Sequence, residues 1–402
     1  MAAMTCALVE KLQTIADPRR QCANLKHPLV DVILLGFCGV LGGCEDFVEI
    51  AEWAQVHEAA FRSFLELPHG IPAHDPFTRV FALLNPTTLQ EVLLPWLLER
   101  RGLPGEWIHL DGKTLRQTGR TTPKLKALHV VSAWAGQTGI TLGQVAVDAK
   151  SNEITAMPEL LELLDLHDKI VTTDAMGCQK DIAQTIVAGG GDYLLAVKDN
   201  QPTLHAELQS AFATAPPPPA RSSRLYTTED QGHGREEQRT VQVLPARAHL
   251  SGAQLALWLG VLSIVMVTRV VWCEATGVES IEVSYFLSSL PPNARRIGSA
   301  IRGHWSIENS LHWVLDVVFR EDARRVYDRT TAENVAFLNR LAVSLLRGDP
   351  SKKSLKVKRK RAGWSIPYLM QLLGFPALEV QLPWQLRASV LCRAQCTVAR
   401  AP

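Results

Sequence analysis

Three acidic residues of this chain have positions at which carboxylates could do chemistry. Asp111 follows the β-prone run WIHL, Asp174 follows IVTT, and Glu308 lies in the helix-prone segment RGHWSIENSLHWVLDV. Three carboxylates in one site repel one another and need a cation, and such oxygen ligands suit Mg²⁺ or Mn²⁺. Two such ions about 4 Å apart can activate a water or a 3′-hydroxyl for phosphoryl transfer. The acids alone do not distinguish a nuclease from other metal-dependent phosphoryl enzymes.

Both aspartates are predicted to close a β-strand. Residues that favour a turn follow each of them, Gly112 after Asp111 and Gly177 shortly after Asp174. The carboxyl ends of strands form the rim at which ligands bind in α/β sheets. Either aspartate taken alone could instead cap the next helix or turn, so neither defines a site without the other.

Glu308 is predicted to lie on the apolar face of a helix. At about 100° per residue, one stripe of this helix contains Ile297, Ile301, Trp305, Glu308, His312 and Leu315. A carboxylate buried there needs a partner, which could be a structural arginine or a metal ion. The two strand-end aspartates favour the metal ion.

A zinc site is the competing interpretation of the same helix. His304, Glu308 and His312 follow one another at four-residue intervals, a spacing that can place three zinc ligands on one helix face. Such a zinc hydrolase would leave Asp111 and Asp174 without a role.

The elements that must position these residues change in character along the chain. Residues 1 to about 100 have helical periodicity, and from Trp107 onward short β-prone runs surround the helical pattern MPELLELLDL. After the break at Pro216–Pro219 the chain is again β-prone until about Leu290, and helical periodicity then resumes. This order predicts an α/β fold.

Composition limits the class of protein without indicating a partner. The 402 residues are 47% hydrophobic, and 42 Lys and Arg nearly balance 40 Asp and Glu, so any case for nucleic-acid binding must rest on local charge. Eight scattered cysteines without paired spacing fit reduced thiols in a cytosol. No secretory signal is recognisable, and the apolar run at 255–267 is too short to span a bilayer and is predicted to be a buried strand. We therefore expect a cytoplasmic protein with no membrane partner.

Several further motifs accompany the three acids in a fixed order. These are HLDGKTLR, QVAVDAKSNEITAMPELLELLDL, IVTTDAMGCQK, GGDYLLAVKDNQPTLH, TTEDQGHGREEQR, RGHWSIENSLHWVLDVVFRED and KRKRAGW. Together, from about Asp17 to Leu373, they resemble the H-repeat-associated, ISAs-type insertion-sequence transposases of the DDE superfamily. The tail beyond about Phe375 lies outside the resemblance.

The resemblance implies a fold and a set of catalytic residues. It implies a ribonuclease H-like catalytic core with a β-rich insertion, preceded by a helical N-terminal domain. Asp111, Asp174 and Glu308 match the first, second and third family carboxylates, which would hold two Mg²⁺ or Mn²⁺ ions. The predicted units are a helical, DNA-binding domain at 1–100, the core at 101–222 and 291–348, the insertion at 223–290, and a basic C-terminal tail at 349–402.

The basic residues near the acids cannot be assigned in the same way. A related transposase group has the signature Tyr-x2-Arg-x3-Glu-x6-Lys, and this chain has Ile301, His304 and Leu315 at the Tyr, Arg and Lys positions. Local residues are therefore predicted to contact DNA phosphates, with ordinary solvated cations as the alternative. They are Lys113, Arg116, Lys198, Arg302, His304 and the end of the basic run, Lys358, Arg359, Lys360 and Arg361.

The resemblance therefore implies a DNA transposase. Such an enzyme hydrolyses a phosphodiester at the ends of its element and joins the freed 3′-hydroxyl to target DNA. Its partners would be double-stranded DNA, as terminal inverted repeats and target, and a second copy of the chain, since two ends must be cut together. The alternative is a decayed or domesticated relative that binds DNA without cutting it.

Overall fold

Helices precede the first strand in the computed structural model of this protein. The structure describes residues 6–20, 25–120, 125–147, 152–219, 221–232 and 234–375. The first helices within these ranges are α1 (Ala7–Gln13), α2 (Leu29–Gly42), α3 (Phe47–Val56), α4 (Glu58–Phe61), α5 (His74–Leu83) and α6 (Pro86–Arg101). The predicted tail beyond Phe375 lies outside the described residues.

Local chemistry determines where these helices begin and end. The Asp46 carboxylate accepts hydrogen bonds from the backbone N–H groups of Val48 and Glu49 and so caps α3. α2 is apolar around most of its surface and buried, and it ends at Gly43, whose φ of 106° favours a residue without a side chain. The helical prediction for this part of the chain is confirmed for the residues described.

A single nine-stranded sheet follows in the described part of the chain. Its strands are β1 (Trp107–Leu115), β2 (Leu128–Ala135), β3 (Ile140–Val147), β4 (Ile170–Thr173), β5 (Asp192–Val197), β6 (Leu225–Gly232), β7 (Arg235–Pro245), β8 (Ser263–Cys273) and β9 (Val278–Ser288). The order across the sheet is β3-β2-β1-β4-β5-β9-β8-β7-β6. β1, β4 and β5 are parallel to one another, and every other neighbouring pair is antiparallel. The α/β class predicted from the sequence is thus confirmed.

The β-rich segment 223–290 extends this sheet. β9 pairs antiparallel with β5 over Leu194–Val197, so β9, β8, β7 and β6 continue the sheet outward from β5. The apolar run at 255–267 is only partly strand. Its beginning belongs to the helix Gly252–Leu257, and β8 starts at Ser263. A continuous apolar run does not distinguish a buried helix from a buried strand, which explains the error.

The remaining helices cover the sheet and complete the C-terminal part of the chain. They are α7 (Glu153–Glu162), α8 (Lys180–Ala188), α9 (Pro202–Thr214), α10 (Ala246–His249), α11 (Gly252–Leu257), α12 (Ala294–Ile307), α13 (Trp313–Val317), α14 (Arg329–Gly348), α15 (Leu355–Trp364) and α16 (Ile366–Leu373). A π-helical turn at Glu308–His312 joins α12 to α13, and short 3-10 turns lie at Arg116–Thr118 and Glu321–Ala323. No described helix is long and apolar enough to cross a membrane.

The helices before the sheet share one hydrophobic core with the helices after it. Side chains of α1 to α6 pack in the same buried cluster as Trp134 and Ile140 of the sheet and the apolar residues of α14 and α16. The segment 1–100 and the segment beyond 291 are therefore packed together, and the predicted domain boundaries remain predictions.

α14 is buried almost all round, so its polar side chains need partners on other elements. The Asn334 amide donates to the carbonyl of Phe81 at 2.9 Å, and the Ser344 hydroxyl accepts from the N–H of Thr141 at 3.0 Å. Arg340, fully buried, pairs with the buried Glu321 at 3.1 Å. Each contact ties this helix to another part of the molecule.

Replacing Arg340 with Met should lower the free energy of unfolding by about 3–5 kcal/mol, because it leaves the Glu321 carboxylate buried without its charged partner. Urea unfolding followed by circular dichroism measures the change. As a control, Lys11→Met removes a largely exposed ion pair with Glu99 and should change the stability by less than about 1 kcal/mol. Equal effects of the two substitutions would contradict the structural role given to Arg340.

Candidate active site

Asp111 lies within β1, beyond the end of its pairing with β4. The pairing between the parallel strands stops at Leu110 and Thr173, whereas β1 continues to Leu115 against β2. The expectation that Asp111 closes its strand is therefore wrong. Along β1, the pairing with β2 continues five residues beyond the end of the pairing with β4. The sequence pattern of β1 alone cannot reveal this difference between its two neighbours. Asp111 nevertheless occupies the rim where β4 has ended.

Asp174 follows β4 directly, as predicted, and also caps the next turn. Its Oδ1 accepts hydrogen bonds from the N–H groups of Met176 at 3.0 Å and Gly177 at 3.3 Å. A side chain at Gly177 would collide with Thr173, so the turn needs a glycine there. The capping and rim positions predicted as alternatives are both realised, because one carboxylate has a second oxygen free for another contact.

Glu308 begins the π-helical turn and has an exposed side chain. Its relative accessibility is 64%, whereas His312 is buried at 5%. The stripe that placed Glu308 inside the apolar face is therefore wrong. Trp305, which belongs to the same stripe and lies before the π turn, is also exposed, so the helix faces the core with the neighbouring stripe that contains Ala300, Ile307 and Leu311. π turns inside α-helices occur frequently at functional sites.

Asp111 and Glu308 converge on the imidazole of His312. The His312 Nδ1 atom lies 3.2 Å from Glu308 Oε2 and 3.4 Å from Asp111 Oδ2. One ligand atom from each of these three residues lies within 4.8 Å of the others, a group that could hold a metal ion. Asp174 is outside this tight group, although its charge acts on Asp111.

The carboxylates destabilise one another's charged forms. Burial, and then the charges of Asp174, Glu153 and Glu308, together raise the pKa of Asp111 to about 7, against the opposing hydrogen bond from the Gly112 N–H. The pKa of Asp174 is also raised, first by burial and then by the charge of Glu153. A cation placed among these residues would reverse both effects.

A fourth acid, Glu153, belongs to this cluster and was missed by the sequence analysis. It is the first residue of α7, and its Oε1 lies 2.6 Å from His129 Nε2. A Cβ atom at Gly112 would collide with both Glu153 and His129, so this pair packs directly on the backbone next to Asp111. The helix dipole stabilises an acidic residue in the first turn of any helix. The sequence therefore contains no signal that distinguishes Glu153 as part of the site.

The histidines do not form the zinc ladder considered from the sequence. His304 Nδ1 lies 2.8 Å from the hydroxyl of Thr172, which in turn contacts His109 Nδ1 at 2.7 Å. His304 is outside the group of residues that could share a metal ion. Burial lowers the pKa of His304 to about 4, so the side chain is neutral and does not offer a phosphate a positive charge at neutral pH.

The predicted phosphate contacts near the acids differ in their availability. Lys113 is 7% exposed and pairs with Asp316 and Asp322 at 2.6 and 3.0 Å. Arg302 pairs with Asp230 of β6. By contrast, Arg116 is largely exposed. Lys198 is exposed as well, and it borders a recess that also contains Asp174, His304 and Trp305.

The predicted basic run is split between the core and the surface. Lys358 and Arg359 are buried in α15, where Lys358 donates to the carbonyl of Asp349 and Arg359 to those of Val40 and Val318. Their predicted contact with phosphates does not fit this structure, because helix α15 turns these cations inward. Lys360 and Arg361 remain exposed.

The residues present fit a divalent cation. Asp111 and Glu308 offer carboxylate oxygens, His312 offers a nitrogen, and Asp174 and Glu153 add negative charge nearby. A bound divalent cation would reduce the repulsion among these carboxylates, which contributes to the raised pKa of Asp111.

Comparisons with known proteins identify the class of protein to which this fold and cluster belong. The family model described as "Transposase DDE domain" matches residues 105–345, and the model described as "DDE_Tnp_1-associated" matches residues 9–97. The first covers more than half of the chain, and the family implies the use of a divalent metal. This chain belongs to the DDE-domain transposase family.

Individual relatives of this chain identify a narrower group within the family. The chain is 35% identical over 377 residues to "H repeat-associated putative transposase YhhI" of Escherichia coli K12, covering 92% of this chain and 99% of the relative. It is also 35% identical over 371 residues to "Putative transposase YncI" of Escherichia coli O157:H7, covering 92% and 94%. The resemblance to H-repeat-associated transposases found in the sequence is confirmed.

Metal binding should depend on pH through Asp111. Because a carboxyl group must lose its proton to bind a cation, and the pKa of Asp111 is about 7, affinity should fall as pH falls below neutrality. We expect Mn²⁺ to bind roughly tenfold more tightly at pH 8 than at pH 6. Isothermal titration calorimetry measures the affinity, and buffers of different ionisation enthalpy detect the released proton.

The variant Glu153→Gln tests the cause of this dependence. It removes one of the negative charges that raise the pKa of Asp111, so the rise in Mn²⁺ affinity should occur at a lower pH than in the wild type. An affinity that does not change with pH in the wild-type protein would contradict the assignment.

Proposed function

We propose that this protein is an active DDE transposase that cuts DNA at the ends of its element and joins the freed 3′-hydroxyls to target DNA. Asp111, Asp174 and Glu308 are its catalytic carboxylates, and they hold two Mg²⁺ or Mn²⁺ ions. The strands from β1 to β5, with the helix that carries Glu308, form a ribonuclease H-like core. The helices at 1–100 form a DNA-binding domain.

The convergence of Asp111 and Glu308 carries this proposal. Their carboxylates come from a strand and from a helix nearly two hundred residues later, and both approach His312 Nδ1 within 3.4 Å. Asp174 is close enough for its charge to raise the pKa of Asp111. A fold has little reason to assemble repelling carboxylates at a rim unless they bind a cation.

The bound ions, His312 and Lys198 have different tasks in this reaction. Divalent ions in such a site activate the attacking oxygen and stabilise the leaving oxygen of a phosphodiester. Burial lowers the pKa of His312 to about 3 and keeps this imidazole neutral, so its Nδ1, which lies between the Asp111 and Glu308 carboxylates, would offer the cation a third ligand atom. Exposed Lys198, beside Asp174, is placed to hold a phosphate of the DNA strand.

The outer cations extend this contact to a longer duplex. Arg116, Lys360 and Arg361 are exposed and can neutralise backbone phosphates without reading sequence. Because two element ends must be cut together, the active form contains at least two copies of the chain.

Cleavage of a labelled duplex that carries the element end, in Mg²⁺ or Mn²⁺, tests the proposal. Asp111→Asn, Asp174→Asn and Glu308→Gln should each reduce cleavage by more than about 100-fold, since even outer partners of metal ligands contribute 10–100-fold. DNA affinity, measured by fluorescence anisotropy, should stay within about threefold of the wild type, because the backbone contacts that dominate it remain. Cleavage by Asp111→Asn at the wild-type rate would refute the assignment.

A matched control separates catalysis from simple loss of charge. Asp168 is an 87% exposed aspartate with φ of 57°, a conformation that asparagine tolerates. Asp168→Asn should therefore cleave as the wild type does. If the wild-type protein binds the duplex but does not cut it in either metal, the decayed or domesticated alternative replaces the proposal.

A further inference from the structure

Strand β1 and the helix that carries Glu308 have matching repeats. Asp111 and Lys113 are two residues apart on one face of the strand, which separates them by about 6.6 Å. His312 and Asp316 are four residues apart along the facing helix, which separates them by about 6 Å. Two strand residues can therefore meet two helix residues in register.

Both of the contacts that this match allows are present. Asp111 faces His312 at 3.4 Å, and the ammonium group of Lys113 contacts Asp316 Oδ1 at 2.6 Å. Lys113 also contacts Asp322 Oδ1 at 3.0 Å, in the 3-10 turn that follows the helix. These two contacts, Asp111–His312 and Lys113–Asp316, join strand β1 to the helix that carries Glu308.

Lys113 is unavailable to an external phosphate. Its side chain is 7% exposed, and two carboxylates surround its ammonium group, so its charge is already compensated. A buried lysine needs such partners, and replacing them with a phosphate would leave two aspartates unpaired. Arg116, which is 80% exposed, contacts the other oxygen of Asp322 at 3.3 Å and adds to the same cluster.

We propose that Lys113 is a positioning residue that locks the register between β1 and the Glu308 helix. The lock lies just after the π turn, whose wider winding determines the direction of Glu308 relative to His312. Without the ion pairs the helix can slide or rewind, and Glu308 moves away from Asp111. This inference rests on the proposed function for the identity of the metal ligands, and it departs from the sequence-based expectation that Lys113 contacts DNA.

Two measurements on Lys113→Met distinguish a positioning role from a DNA contact. Mn²⁺ binding, followed by the loss of the free-ion signal in electron paramagnetic resonance, should weaken about tenfold, as for other outer partners of metal ligands. The slope of the logarithm of DNA affinity against the logarithm of salt concentration should stay as in the wild type. A lysine that contacts a phosphate would reduce that slope by about 1. Lys113→Arg, which keeps the charge, should restore most of the Mn²⁺ affinity.

Asp316→Asn and Lys11→Met are controls that separate an effect on metal binding from a general loss of folding. Asp316→Asn leaves Lys113 paired with Asp322 and should also weaken Mn²⁺ binding, with a melting temperature close to that of the wild type. Lys11→Met breaks an ion pair of similar length between α1 and α6 and should leave Mn²⁺ affinity unchanged. Wild-type Mn²⁺ affinity in both Lys113→Met and Asp316→Asn overturns the inference, as does a reduced salt slope in Lys113→Met.

The result that would contradict the proposed function differs from the result that would contradict the positioning role of Lys113. Mn²⁺ affinity that is unchanged by Asp111→Asn would remove the metal site itself, whereas Mn²⁺ affinity that is lost in Asp111→Asn but kept in Lys113→Met would remove only the lock.

Discussion

The repulsion among carboxylates at one rim of the sheet is the constraint on which the rest of the structure depends. Burial and neighbouring charges raise the pKa of Asp111 to about 7, so the charged form that binds a cation is costly in the folded protein. Favourable packing elsewhere must offset that cost. The acids come from β1, from the turn after β4, from the start of α7 and from the π turn, and a loosely packed scaffold would let them separate.

The scaffold is held together by polar contacts made in apolar surroundings. α14 lies buried between the helices of the first hundred residues and the sheet, with Arg340 bound to Ser132 of β2 and to Glu321. Because an unpaired group there would be costly, these contacts tie the helix layer to the strands. Lys113 has the corresponding position beside the carboxylates, where it joins β1 to the helix of Glu308.

Much of the fold was predictable because its signals are local. Periodicity indicated the early helices and the order of strands and helices, and Asp174 stands directly after its strand as expected. The errors arise where a partner decides the outcome. Asp111 is inside β1 because β2 is longer than β4, and Glu308 is exposed because the helix packs on the core with the neighbouring stripe that contains Ile307 and Leu311. Lys358 and Arg359 are buried because backbone carbonyl groups accept their hydrogen bonds, that of nearby Asp349 for Lys358 and those of distant Val40 and Val318 for Arg359.

The sequence by itself determined the α/β class, the order of the elements and, through its ordered motifs, membership of the DDE-domain transposase family. These properties follow from the residue types and spacings within each segment and from the order of the segments along the chain. Only the tertiary structure decided which acids meet, that Glu153 joins them, and that Lys113 is an internal cation. Burial and charge pairing depend on groups that are far apart in the chain, so a linear pattern cannot contain them.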